Sequence, residues 1–156
     1  MATPVHKTAG TNWLFVRIDT DSGISGWGEG SLQYKDAALE AEILDFGKFL
    51  EGKDPRRIDW IWSSLYRRVT WAGGPISMSA ISAIDLALWD LKAKSLEIPV
   101  WELAGGMHRD RVRVYANGWF EDLSEAVPGL PAETVARAAS PQLHAEAALR
   151  LRDAGW

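Results

Sequence analysis

Few residues in this sequence combine the side-chain type and the spacing that a catalytic or ligand-binding site requires. The glycines of GWGEG at residues 26–30 could surround a phosphate, but Ser31 replaces the third glycine of a dinucleotide motif and no helix signal follows directly. The three histidines lie in unrelated contexts without metal-ligand spacing. The chain has no cysteine and no Gly-x-Ser-x-Gly elbow, which excludes a thiol nucleophile and gives no sign of a hydrolase serine. Composition and spacing alone therefore identify no catalytic residues and no metal ligands.

Length and charge exclude several classes of protein. The chain has 156 residues, with 17 Lys and Arg against 21 Asp and Glu. It is shorter than a complete (β/α)₈ barrel, which needs about 200–250 residues. The net charge of -4 argues against a nucleic-acid partner. No apolar run is long enough to cross a membrane, and residues 1–10 lack the apolar core of a secretory signal, so we expect a cytoplasmic protein.

Nine tryptophans are an unusual number for a chain of this size. Large apolar anchors in a core are the first explanation, and a surface that stacks on carbohydrate is the second. The sequence favours the core.

The elements that must position any site begin with a hairpin. Residues 12–19 alternate, with Leu14, Val16 and Ile18 on one face, which predicts a strand. A turn at residues 21–23 leads into a second, glycine-rich strand over 24–29.

Helices are predicted after the hairpin. Apolar residues at helical spacing indicate one over 35–50 and a second that starts with Asp54 as N-cap and Pro55 in its first turn. A third, over 75–96, is apolar nearly all round and must be buried on several sides. Residues 111–116 then read as a strand and 141–153 as a last helix.

Two acidic residues interrupt the apolar third helix. Asp90 is spaced to form a surface pair with Lys94, and Asp85 needs a hydrogen-bond donor if it is buried. Both are predicted to be structural.

Five stretches of the sequence resemble one known family. They are TDSGISGWGE (20–29), DPRRI (54–58), GGPISMSAISAIDLALWD (73–90), PVWELAGG (99–106) and RDRVRVYANG (109–118). In this order they are similar to the N-terminal half of the mandelate racemase and muconate-lactonizing branch of the enolase superfamily, particularly its acid-sugar dehydratases of the galactonate and gluconate types.

The resemblance implies an α+β fold. Residues 1–110 would form an enolase-like capping domain, made of a small antiparallel sheet with a helical bundle. The sheet would contain the hairpin and a third strand, the family's opening strand, which is barely recognisable in residues 1–10, so the sheet is expected to lack a partner at that edge if the strand does not form. Residues 111–156 would be the first βα unit of an incomplete (β/α) barrel. Later barrel strands, which in the family carry the catalytic bases and the carboxylates that bind Mg²⁺, would lie beyond this chain, so neither catalytic nor metal-binding residues are assigned here.

The resemblance also implies where substrate would bind. Two loops of the family's cap close over the barrel mouth, and they correspond here to residues 27–34 and 68–74. Side chains that could contact a sugar acid are Glu29, Gln33, Tyr34 and Trp71, together with Asn117 at the end of the first barrel strand. For Trp27 and Trp71, packing in the core beneath the loops is an equal alternative. Gly73 and Gly74 are expected to give backbone freedom.

By resemblance, the parent enzyme is a Mg²⁺-dependent lyase. It would remove the proton beside a carboxylate and expel the neighbouring hydroxyl, leaving a 2-keto-3-deoxy sugar acid. We expect this chain alone to be inactive, with a further copy of itself or a complementing barrel fragment as its protein partner. A racemase or cycloisomerase of the same superfamily remains an alternative, as does a non-catalytic α+β binding module.

Overall fold

The computed structural model describes residues 2–7, 12–68, 70–114 and 141–155. The chain divides into two compact units, Met1–Met107 and His108–Trp156. The first unit contains an antiparallel sheet and four helices, and the second contains one helix among its described residues. This is the α+β fold that the sequence predicts.

The sheet has three strands in the order β1-β2-β3. They are β1 (Ala2–Lys7), β2 (Asn12–Asp19) and β3 (Ser25–Glu29). The third strand, barely recognisable in residues 1–10, is therefore present as β1. It pairs with β2 through a register shift between Pro4 and His6, and such irregular pairing weakens the alternating pattern by which strands are recognised.

Four helices follow in the first unit: α1 (Asp36–Leu50), α2 (Ile58–Arg68), α3 (Pro75–Ser95) and the short α4 (Val100–Leu103). Helix α3 packs against β2, β3, α1 and α2. The prediction that it is buried on several sides is confirmed.

Helix α2 begins later than predicted, because Asp54 closes a turn instead of capping the helix. Its carboxylate accepts a hydrogen bond from the main-chain N–H of Arg56 at 3.0 Å. Its carbonyl accepts another from Arg57 at 3.2 Å. The helix starts at Ile58.

In the second unit the described residues contain α5 (Pro141–Asp153), which confirms the last predicted helix. The strand predicted over 111–116 is not formed at residues 111–114. Residues 115 and 116 lie outside the described part of the chain. A strand needs a neighbour to complete its hydrogen bonds, and no described residue pairs with 111–114.

The core lies between the inner face of the sheet and the helices. Leu14 and Val16 of β2 are buried there, as the alternating pattern predicted. The other buried members of this cluster are aliphatic or small, with one phenylalanine: Leu39, Ile43, Phe46, Ile58, Ile61, Leu65, Ala80, Ile81, Ala83, Ile84 and Leu88.

No tryptophan among the described residues is fully buried, so the expectation that they anchor the core is wrong. Trp89 is half-buried against the core, and Trp13, Trp27, Trp60, Trp62, Trp71 and Trp101 are more exposed. The indole is large and its N–H needs a polar partner or water, which favours partly exposed positions. Several rings lie under cations instead, as Trp60 does beneath the Arg57 guanidinium at 4.5 Å.

Candidate functional site

Two loops adjoin the N-terminal half of helix α3, one by packing and the other through the chain. The segment 30–35 follows β3, and Gly30 lies against the Ala83 side chain and the Ser79 carbonyl, so that a Cβ there would be 2.6 Å from Ala83 Cβ. The segment 70–74 leads directly into Pro75, the first residue of α3. Ser79 is about one turn from that start. The structure therefore places the start of the first loop, next to Glu29, along the first two turns of α3, and the loop of Trp71 leads into the first residue of the same helix.

Glu29 is the ionisable group of this site that the structure ties most closely to the main chain. It is half-buried at the end of β3. Its Oε1 accepts a hydrogen bond from the Ser31 N–H at 2.7 Å. The Ser31 hydroxyl in turn accepts the N–H of Leu14 at 3.0 Å, which fastens the loop to β2. The carboxylate is thus held in one place, where it can accept hydrogen bonds from a ligand hydroxyl.

Gln33 and Tyr34 form the turn between β3 and α1. The Lys35 N–H donates to the Leu32 carbonyl at 3.0 Å and closes this turn. Tyr34 has a φ of +61°, unusual for a residue with a side chain, and its ring is 73% exposed. Gln33 is exposed as well. Both side chains lie on the surface of the loop.

Neither Trp71 nor Trp27 packs in the core. Trp71 is 89% exposed. Trp27 is 48% exposed on the outer face of the sheet, with the Arg17 guanidinium 5.6 Å from its ring centroid. Its main chain is in β3, where Gly26 and Gly28 occupy the inner face against α3, so the Trp27 side chain must point away from the core. The core-packing alternative is wrong for both.

The second loop depends on two glycines. Gly73 and Gly74 have φ values of +92° and +82°, in the region that side-chain-bearing residues avoid. The expectation that they provide backbone freedom is confirmed, and this freedom allows the chain to turn from Trp71 into α3. Asn117, the remaining predicted contact residue, lies outside the described residues.

The glycines of residues 26–30 do not form a phosphate cradle. Gly26, Gly28 and Gly30 lie along α3, where added Cβ atoms would collide with Ala87, Ala83 and Leu91. Their spacing of two along a strand matches the spacing of four between Ser79, Ala83, Ala87 and Leu91 on the helix, since both repeats advance about 6 Å. This pairing of small residues could have been found in the sequence by comparing the two repeats.

Asp85 and Asp90 have separate environments. Burial raises the pKa of Asp85, the negative charge of Asp59 adds to this, and a hydrogen bond from Trp89 opposes it. Asp59 stands at the start of α2, roughly 14 Å along that helix from the end that leads to Trp71, so this carboxylate pair is remote from the loops. Asp90 forms the predicted pair with Lys94 at 2.6 Å. The sequence did not reveal that both of these side chains also bond to the main chain of β3.

Neither a metal site nor a membrane span is found in the part of the chain that the structure describes. No group of three or more His, Asp or Glu side chains there could hold a metal ion. No described helix is both long and apolar enough to cross a bilayer. A cleft of about 1110 Å³ lies elsewhere, between the 20–24 turn and the C-terminal ends of α1 and α3, and includes no predicted contact residue.

Comparison with known proteins agrees with this architecture. Residues 1–105 match the model of the mandelate racemase / muconate lactonizing enzyme N-terminal domain. The D-galactonate dehydratase of Variovorax paradoxus (strain S110) is 51% identical over 104 residues, which are 67% of this chain and 27% of that enzyme. The D-galactonate dehydratase of Ralstonia nicotianae is 49% identical over the same shares of each chain. The chain thus spans about a quarter of the length of these relatives.

Solved structures of enolase-superfamily proteins also superpose on this chain. A candidate dehydratase from Mesorhizobium loti superposes with a TM-score of 0.82 at 38% identity, covering 99% of this chain and 38% of that one. An enolase from Pantoea ananatis, solved with bound D-gluconate and Mg, superposes with a TM-score of 0.61 at 38% identity, covering 70% of this chain and 28% of that one. The chain belongs to the mandelate racemase / muconate lactonizing enzyme family of the enolase superfamily and carries the N-terminal capping domain of that family.

Proposed function

We propose that this chain forms the cap side of the substrate site in an acid-sugar dehydratase. In this proposal residues 1–110 are the capping domain and residues 111–156 begin the barrel. The loops at the N-terminal end of α3 supply Glu29, Gln33, Tyr34 and Trp71 to the sugar acid, with Asn117 contributing from the barrel rim. Identity of about half with two D-galactonate dehydratases supports the substrate class.

The observation that carries the proposal is that the first loop begins beside the first turns of α3, and the second loop leads into the start of the same helix. A sugar acid presents hydroxyl groups and C–H faces together, so its site needs hydrogen-bonding groups beside an apolar wall. Glu29 and Gln33 offer oxygens and an amide at the first loop, and Tyr34 adds a hydroxyl. Trp71, with most of its indole exposed on the second loop, offers the apolar wall.

The reaction proposed for the complete enzyme is the loss of water. A base removes the proton on the carbon beside the carboxylate, and the hydroxyl on the next carbon leaves as water after accepting a proton. The enol that remains becomes a 2-keto-3-deoxy sugar acid. We assign these proton transfers to no residue of this chain, because the resemblance places the family's catalytic bases and Mg²⁺ ligands on later barrel strands. The chain alone should therefore be inactive.

The test is an exchange of caps. Residues 1–105 of this chain replace the matching segment of the Variovorax paradoxus enzyme, and D-galactonate turnover is measured with Mg²⁺ beside the 156-residue chain alone. We expect turnover by the hybrid and none by the chain. Because the barrel of the hybrid supplies the catalytic groups, turnover reports whether this cap completes the substrate site, and the kind of product reports on the barrel alone.

Matched tryptophan variants of the hybrid test the contact itself. Trp71→Ala should lower kcat/KM for D-galactonate about tenfold, because an apolar wall that contacts substrate is lost. Trp101→Ala, which removes an exposed indole from α4, should leave kcat/KM unchanged. Equal activities of the two variants would contradict the role of Trp71, and turnover by the 156-residue chain would contradict its predicted inactivity.

A further inference from the structure

Within the described part of the chain, strand β3 is at the edge of the sheet, with β2 on one side and no strand on the other. It pairs with β2 from Ser25 opposite Asp19 to Glu29 opposite Phe15. The main-chain groups of Ser25 and Trp27 that point away from β2 have no strand to bond with. Such groups are costly when they are unpaired and can attract a strand of another molecule.

Two side chains of α3 bond to this free side. The Asp90 Oδ2 accepts the N–H of Trp27 at 2.8 Å. The Lys94 Nζ donates to the Ser25 carbonyl at 3.1 Å. Residues two apart in a strand direct their main-chain groups to the same side, and residues four apart in a helix share one face. Asp90 and Lys94 can therefore reach Trp27 and Ser25 at the same time.

The two side chains also bond to each other. Lys94 Nζ and Asp90 Oδ2 are 2.6 Å apart, and the Asp90 side chain is 27% exposed. The pair Asp45 and Lys48 on α1 is 3.4 Å apart with both side chains largely exposed. Exposed pairs of that kind add little to stability, whereas hydrogen bonds from main-chain groups to a charged, less exposed partner contribute more.

We propose that Asp90 and Lys94 are positioning residues that take the place of a fourth strand beside β3. The glycines of β3 let α3 come close enough for these side chains to reach the strand edge. Asp90 and Lys94 then hold β3 at Trp27 and Ser25, and Glu29 follows Trp27 by two residues. The closing of the edge does not depend on the proposed dehydratase function, whereas its importance for a substrate contact at Glu29 does.

Hydrogen exchange of single amides in the 156-residue chain tests this proposal. Asp90→Ala should speed exchange of the Trp27 amide about tenfold or more relative to the Ile84 amide in the core of α3. The Ser31 amide, which bonds to Glu29, should also exchange faster. Asp90→Asn should restore part of the Trp27 protection, because an amide oxygen still accepts the hydrogen bond without attracting Lys94.

The control is Asp45→Ala, which removes a carboxylate from an exposed pair on α1 and should leave the Trp27 amide unchanged. Unaltered protection of Trp27 in Asp90→Ala would overturn the proposal. An equal acceleration of Trp27 and Ile84 in both Asp90 variants would do the same, because it would show a general loss of stability. An unaltered Ser31 amide would overturn the positioning of the loop. If Asp90→Ala does not fold, the comparison of Asp90→Asn with the parent chain decides. The cap exchange tests the dehydratase function separately.

Discussion

Gly28 of β3 rests directly on the main chain of Ala83 in α3. A Cβ at Gly28 would collide with the Ala83 carbonyl and would lie 2.9 Å from the Ala87 nitrogen. Strand and helix therefore meet without any side chain from the strand between them. This close approach places the first loop beside the N-terminal end of α3 and brings β3 within reach of Asp90.

Gly28→Ala should destabilise the chain by about 3 kcal/mol or more, because the added methyl group meets rigid backbone and the helix must move away. Chemical denaturation measures the change in the free energy of unfolding. Gly47→Ala is the matched control, since Gly47 lies within α1 and a Cβ there has nothing within 4 Å. It should stabilise the chain by about 0.5–1 kcal/mol through helix propensity. Equal effects of the two variants would contradict the close packing.

Trp71→Ala should change the free energy of unfolding by less than about 0.5 kcal/mol, since an indole that is 89% exposed buries little surface. Leu65→Ala, at a fully buried position of α2, should cost about 2–5 kcal/mol. Thermal denaturation of both variants checks the contrast. A large loss of stability in Trp71→Ala would show that Trp71 is buried, and would contradict its proposed contact with substrate.

Asp85 should oppose folding as the pH rises. Its folded pKa is raised above the ordinary 3.8, first by burial and then by Asp59. Well below pH 3.8, Asp85 is protonated in both the folded and the unfolded chain. As the pH rises, the unfolded chain releases the Asp85 proton more readily than the folded chain, so the folded state loses stability. Asp85→Asn should therefore gain stability relative to the parent chain between acidic and neutral pH. The gain should stay below about 1 kcal/mol, because the side chain is partly solvated.

Denaturation of both chains at several pH values measures this difference. Asp59→Asn provides the control, because it removes the second cause and should lower the pKa of Asp85 part of the way towards its ordinary value. A stability difference between Asp85→Asn and the parent that is independent of pH would refute the effect of Asp85.

Asp54 should have the opposite effect to Asp85 on the pH dependence of stability. Hydrogen bonds from the Arg56 side chain and then from the Arg56 main chain lower the pKa of Asp54 from 3.8 to about 2. The stability that this carboxylate contributes is present above pH 3.8 and is lost as the pH falls towards 2. NMR titration should give a midpoint near pH 2 for the Asp54 carboxyl group.

Arg56→Ala should move this midpoint towards 3.8 without reaching it, because the main-chain hydrogen bond remains. An Asp54 midpoint near 3.8 in the parent chain would show that the turn before α2 is not closed as described.

Short-range patterns in the sequence predicted most of the local structure. Alternation around Leu14 and Val16 identified β2, and helical spacing identified α1, α3 and α5 within a residue or two of their observed ends. The start of α2 was wrong because Asp54 can cap a turn as well as a helix, and both begin with the same residues. The third strand was weakly predicted, since its pairing with β2 is irregular.

The sequence by itself determined the hairpin of β2 and β3, the helices α1, α3 and α5 and the family, because these depend on residues that are close along the chain or on motifs that can be matched directly. It predicted a strand over 111–116 that is not formed at residues 111–114, since pairing with a neighbour decides whether a strand forms. Only the tertiary structure decided that Trp71 faces solvent, that the three glycines lie on α3 and that the two loops adjoin the N-terminal half of that helix. Asp90 and Trp27 are 63 positions apart. Their hydrogen bond exists because glycines and alanines let a helix and a strand come close, and periodicity within either segment does not reveal which segments will meet.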